Sequence, residues 1–153
     1  MDFDNKIKSQ LQNYLVMQGV ISNQCVWHIQ TGGRTNTVWR LVGEQDLICK
    51  LYSETKANPL FNNMPEAEYE CLIWLNGSGI APKPYKYLKT PFGKVLMYDY
   101  IKGQTWSHNV GIVSELLIRI HNHQYPKGLR VLSALPSDIK QSGLEIINKL
   151  NNY

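Results

Sequence analysis

The sequence predicts an α+β fold, a five-stranded, mostly antiparallel sheet with one helix inserted between its third and fourth strands. A helix at the N-terminal end and helices at the C-terminal end flank it. Three patterns carry this prediction. Apolar residues four apart open the chain as a helix. Three short runs rich in β-branched and aromatic residues follow with brief links between them. A second helical pattern then stands between the third run and two more extended ones.

Phe3, Ile7, Leu11 and Leu15 form one apolar stripe on the opening helix, which "ISNQ" breaks. "CVWHIQT" (25–31) and "NTVWRLV" (36–42) read as strands. "GEQD" is a turn, and "LICKLY" (47–52) completes an antiparallel meander. "SETKANPLFNN" is an irregular loop holding Pro59. "MPEAEYECLIWLNGSG" is helical, with Asn63 as candidate N-cap, Pro65 in the first turn and glycines after the last. "IAPKPYKYLKT" is extended because Pro82 and Pro84 exclude helix. "TPFG" signals a turn into "KVLMYDY" (94–100), the fifth strand. Over 109–123, Val110, Val113, Leu117 and Ile120 share one helical face, and 137–150 is a weaker helical pattern. The expected organisation is therefore an N-terminal helix (1–22), a sheet-bearing lobe (23–106) and a helical C-terminal segment (107–153).

The 153 residues suffice for one domain, and an apolar fraction of 43% with 18% charged residues is globular rather than disordered. The net charge of +4 is spread along the chain without a Lys/Arg block, which argues against a nucleic-acid partner. Cys25, Cys49 and Cys71 are odd in number and lack C-x-x-C spacing, so buried reduced thiols are expected. No secretory h-region opens the chain and no apolar run nears the roughly 20 residues that span a bilayer. The expectation is a cytoplasmic protein without a membrane partner. His121 and His123 are two apart on a predicted helix and point about 200° from each other, so no metal site is expected there. No serine stands in a His/Asp arrangement of the hydrolase kind.

The element order is that of the small lobe of a protein-kinase-like fold. Such a lobe lays a glycine-bearing loop over phosphates, sets a basic residue on the third strand, and orients it with a helix glutamate. Lys50 lies on the third strand, and the period of two puts Ile48 on its face. Ile48 there would roof an adenine while Lys50 reaches the phosphates. Glu68 is the expected ion-pair partner; Glu66 and Glu70 are near alternatives turned to other faces by about 100° per residue. Taken singly, a Gly-Gly pair is a turn, a strand lysine is solvated and a strand methionine is core. The joint placement carries the functional reading.

Residues 26–123 resemble the choline/ethanolamine kinases and the wider aminoglycoside phosphotransferase superfamily, thiamine-kinase-like members included. "GGRTNTVWRL" is similar to the family's glycine-glycine-x-threonine-asparagine hairpin, and "DLICKLYS" to its third strand. "EAEYECLIWLNGSGIAPKPY" resembles the helix and its exit, "VLMYDYIKGQTW" the hinge strand, and "LLIRIHNH" the first helix beyond the hinge. The resemblance implies ATP as ligand. Gly33, Arg34, Thr35 and Asn36 would lie near the phosphates, Val38 would cover the ring and Met97 would back the adenine pocket. The carbonyl of Tyr98 and the N–H of Tyr100 would meet the adenine edge.

Phosphoryl transfer also needs an aspartate for the acceptor hydroxyl, with an asparagine and a second aspartate for magnesium. None of Asp2, Asp4, Asp46, Asp99 or Asp138 is followed five residues later by asparagine. The resemblance therefore implies a nucleotide-binding lobe that is inactive by itself. Magnesium would enter only with a catalytic lobe supplied by another chain. The alternative is a stand-alone, pseudokinase-like interaction protein, homodimeric through its cleft face. In that case Val131, Leu132, Leu135, Ile139, Leu144, Ile147 and Leu150 are the expected cover of the cleft, folded back over it, unless a second copy docks there.

Overall fold

The structure is a computed structural model describing residues 2–31, 35–52, 63–103, 109–124 and 135–151. Through these residues the chain runs α1 (Asp2–Met17), β1 (Val26–Gln30), β2 (Asn36–Val42), β3 (Asp46–Tyr52), α2 (Pro65–Trp74), β4 (Pro84–Thr90), β5 (Gly93–Asp99), α3 (Val110–His121) and α4 (Pro136–Asn151). The fold is α+β, and its five strands stand in the order β1-β2-β3-β5-β4 with every neighbouring pair antiparallel.

The apolar stripe of α1 is what docks it on the sheet. Leu11 and Leu15 are fully buried in one cluster with Trp27, Trp39, Leu41, Cys49, Leu51, Val95 and Met97, with Ile7 packed alongside. The helix stops before "ISNQ", at Gly19, whose φ of +63° only glycine adopts without cost. The Gly19 N–H donates to the Val16 carbonyl and the Val20 N–H to that of Leu15, closing the last turn, while Val20 joins the core. The N-terminal helix thus shares its core with the sheet.

Cross-strand register sorts the side chains. On β3, Leu47, Cys49 and Leu51 face α1, while Ile48, Lys50 and Tyr52 face the other way. Val38 and Arg40 oppose Lys50 and Ile48 from β2; Leu96 and Tyr98 oppose them from β5. Helix α2 covers one end of this second face, where Tyr52, Leu72 and Leu96 form a smaller buried cluster.

Asn63 is not the cap of α2. The N-cap is Met64, without a side-chain hydrogen bond, and Pro65 starts the helix. The Asn63 amide instead exchanges two hydrogen bonds with that of Asn36 at 2.7 and 3.0 Å, which satisfies both amides at once. Cys25 and Cys49 are buried free thiols, but Cys71, on α2, is only half-buried. Burial pushes the Cys49 thiol well above its ordinary value, which keeps it inert.

Helix α3 is capped by Asn109, whose side chain accepts from the Ile112 N–H. Its expected apolar face is not buried: Val110, Leu117 and Ile120 are exposed. Near its end Arg119 donates to the carbonyl of Ser78, past the end of α2, at 2.6 Å, and His123, just beyond α3, meets the Trp74 ring edge-on. Leu135, Ile139, Leu144 and Ile147 are exposed as well, so these four do not form the expected cover over the cleft. Val131 and Leu132 lie outside the described residues, as does the Leu150 side chain. No helix among the described residues is long and apolar enough to cross a membrane.

Candidate functional site

The second sheet face gathers its polar groups at the N-terminal half of α2. The Lys50 Nζ donates to both carboxylate oxygens of Glu68, at 2.9 and 2.7 Å. The Tyr52 hydroxyl donates to the same Oε2. The strand period supplies this arrangement, because Lys50 and Tyr52 are two apart and point the same way. Glu68 lies one helical turn beyond Met64, its N–H bonded to the Met64 carbonyl, and so looks down on β3.

Glu66, two residues earlier, is rotated away and serves another strand pair. It accepts from the Tyr87 hydroxyl at 2.6 Å and from Lys94 at 2.9 Å. Glu70 is exposed. The Tyr87 and Lys94 bonds hold the Glu66 carboxyl down to about 2, against an ordinary 4.5, while burial, followed by the bond to Glu66, raises Tyr87 to about 12. Between about pH 4.5 and 2 the unfolded chain therefore binds a proton that the folded chain refuses. The contribution of Glu66 to stability is complete above that window and is lost as pH falls through it. Glu66→Gln is expected to lose less stability than the unchanged chain between about pH 6 and pH 3, measured by chemical denaturation.

The remaining expected residues fall into place unevenly. Val38 stands beside Lys50, and Ile48 beside both Arg40 and Tyr98, all on the α2 face. Thr35 is half-buried at the foot of the β1–β2 loop, whereas Gly33 and Arg34 lie outside the described residues. Asn36 is on the correct face, but its amide is committed to Asn63.

Two expectations about β5 are corrected. Met97 is opposite Cys49, fully buried in the α1-side core, and so it cannot back a pocket on the Lys50 face. Leu96 and Tyr98 occupy that face instead. The Tyr100 N–H does not stand free either, since it donates to the Asp46 carbonyl at 2.8 Å. The Asp99 N–H turns the other way, to the Lys83 carbonyl. By the same alternation the main chain of Tyr98 belongs to the β3 edge, as that of Tyr100 does.

Arg40, Asp46 and Tyr52 are parts of this face that the sequence patterns did not single out. Arg40 donates to both oxygens of Asp46, at 2.8 and 2.5 Å, and its guanidinium lies 3.8 Å over the Tyr100 ring. This pair raises Arg40 and lowers the Asp46 carboxyl. The signal for Tyr52 was its spacing of two from Lys50. Arg40 and Asp46 lie on different strands, and only the pairing of β2 with β3 brings them together.

A cavity of about 310 Å³ opens elsewhere, among Val20, Ile21, Cys25, Leu47 and Tyr85, and none of the expected site residues lines it. Among the described residues, no three His, Cys, Asp or Glu side chains come together as a metal site. No family model matches this chain, and no curated protein and no solved structure is significantly similar to it.

Proposed function

We propose that this chain is the nucleotide-binding lobe of an ATP-dependent small-molecule phosphotransferase, of the choline/ethanolamine, thiamine or aminoglycoside kinase type. The observation that carries the reading is the strand lysine held by a helix glutamate, Lys50 on Glu68, on the α2 face of the central strand. The pair is partly buried, with side chains 20% and 36% exposed, and such pairs add little net to a fold once desolvation is counted, so stability alone is a poor reason for it. A fixed ammonium that meets the phosphates of ATP is a better one. Val38 and Ile48 then flank the base, Tyr98 stands behind it, and the main chain of residues 101–103 replaces the occupied Tyr100 N–H as the edge that meets adenine.

Turnover requires the aspartate and asparagine that hold magnesium and orient the acceptor, which in this proposal come from a catalytic lobe outside these residues. Thermal unfolding with and without millimolar ATP and magnesium tests the binding step. Ligand at one hundred times its Kd stabilises by about 2.7 kcal/mol. No stabilisation, together with no heat of binding by calorimetry, rejects the reading.

The exposed side chains of Val110, Ile112, Ile118, Ile139 and Ile147 favour a second reading, a stand-alone interaction protein that pairs with a copy of itself. Sedimentation equilibrium separates the two. A nucleotide-independent dimer supports the second, and a monomer that binds ATP supports the first.

A further inference from the structure

Tyr52 holds both members of the Lys50–Glu68 pair. The residue is 3% exposed, packed with Leu72 and Leu96, and its hydroxyl reaches out of that cluster to the Glu68 carboxylate. The Lys50 Nζ stands 4.8 Å from the centre of the Tyr52 ring, within cation–π reach. One side chain therefore donates to the acid and lies beneath the base. Burial, followed by the bond to Glu68, pushes the phenol far above its ordinary value, so the hydroxyl stays a donor across the physiological range.

The helix carrying Glu68 is also tied to the sheet just ahead of that residue. Asn63 is bonded to Asn36 before the helix starts, and Glu66 to Lys94 and Tyr87 in its first turn. With α2 anchored there, the remaining freedom of Glu68 is that of its own side-chain torsions, and Tyr52 is the group that removes it.

We propose that Tyr52 is the positioning residue of this site: it fixes the Glu68 carboxylate so that the Lys50 ammonium is already aimed before any ligand arrives. The part of this inference that concerns nucleotide rests on the function proposed above; the part that concerns Lys50 does not.

Tyr52→Phe keeps the buried ring and removes only the hydroxyl, and two readouts separate the claims. The first is proton exchange at the Lys50 ammonium, followed by nitrogen-detected NMR in the absence of ligand. It is expected to be slow in the unchanged chain and to quicken in Tyr52→Phe, while a merely structural hydroxyl would leave it unmoved. The second is ATP affinity with magnesium, expected to fall by about three- to tenfold, the usual weight of one hydrogen bond. Unchanged ammonium exchange overturns the proposal whatever happens to ATP. Faster exchange with unchanged ATP affinity overturns its bearing on ligand. If the unchanged chain binds no ATP, the nucleotide reading fails and the ammonium exchange alone decides the role of Tyr52. Should Tyr52→Phe not fold, the Tyr52 hydroxyl proton of the unchanged chain decides: an exchange-protected resonance near Glu68 supports the proposal, and its absence overturns it.

Discussion

Lys50→Ala is expected to weaken ATP binding by about ten- to a hundredfold, because a hydrogen bond to a charged group is worth about 1.5–3 kcal/mol. The cost to the fold is expected to be small. The Glu68 carboxylate, itself about a third exposed, keeps the Tyr52 hydroxyl after the lysine is gone. Isothermal calorimetry with magnesium and ATP, run beside a thermal melt, distinguishes a lost contact from a lost structure. Equal affinity in the two proteins would show that Lys50 does not meet the ligand. Glu68→Ala is expected to have a weaker effect, since the glutamate orients the lysine and does not itself touch phosphate in this proposal.

The largest loss of stability is expected from Leu15→Ala. Leu15 is fully buried where α1 lies on the sheet, and truncating such a side chain costs about 2–5 kcal/mol through lost burial and the cavity left behind. Against a total of about 5–15 kcal/mol that is a large fraction, and it corresponds to a fall in Tm of about 10 °C. Ile139→Ala is the matched control. It removes a large aliphatic side chain from α4 that is 60% exposed, so its effect should stay within about 0.5 kcal/mol. A Leu15→Ala chain as stable as the Ile139→Ala chain would mean that α1 is not part of the core.

Both expectations depend on how the two sheet faces are occupied, and they show where local pattern suffices. Ile7, Leu11 and Leu15 announce a helix with one apolar face, and that face is the buried one. Lys50 and Glu68 were legible because each owes its direction to a short-range period, two along the strand and 3.6 along the helix. Asn63 failed as a cap because its choice lay between a local N–H and a distant amide, and the distant Asn36 offered two bonds. The apolar face of α3 was legible as a face, but whether anything covers it depends on what packs there.

Met97 marks the same boundary most sharply. In "KVLMYDY" the period of two tells that Leu96 and Tyr98 share one face and Val95 and Met97 the other. It does not tell which of those faces looks toward Lys50, some 46 residues earlier. That phase is set by the pairing of β3 with β5, Lys50 opposite Leu96, and by the turn at Gly93, whose φ of +125° brings it so close to the Tyr52 carbonyl that a side chain would not fit. By itself, then, the sequence determined the element order, the alternation within each strand and the directions in which Lys50 and Glu68 leave their own elements, all of which follow from interactions a few residues long. Only the tertiary structure decided that Met97 goes to the core, that the Tyr100 N–H is spent on Asp46 and that Tyr52 closes on Glu68, because a one-residue change of register leaves every local pattern intact while exchanging the two faces of the sheet.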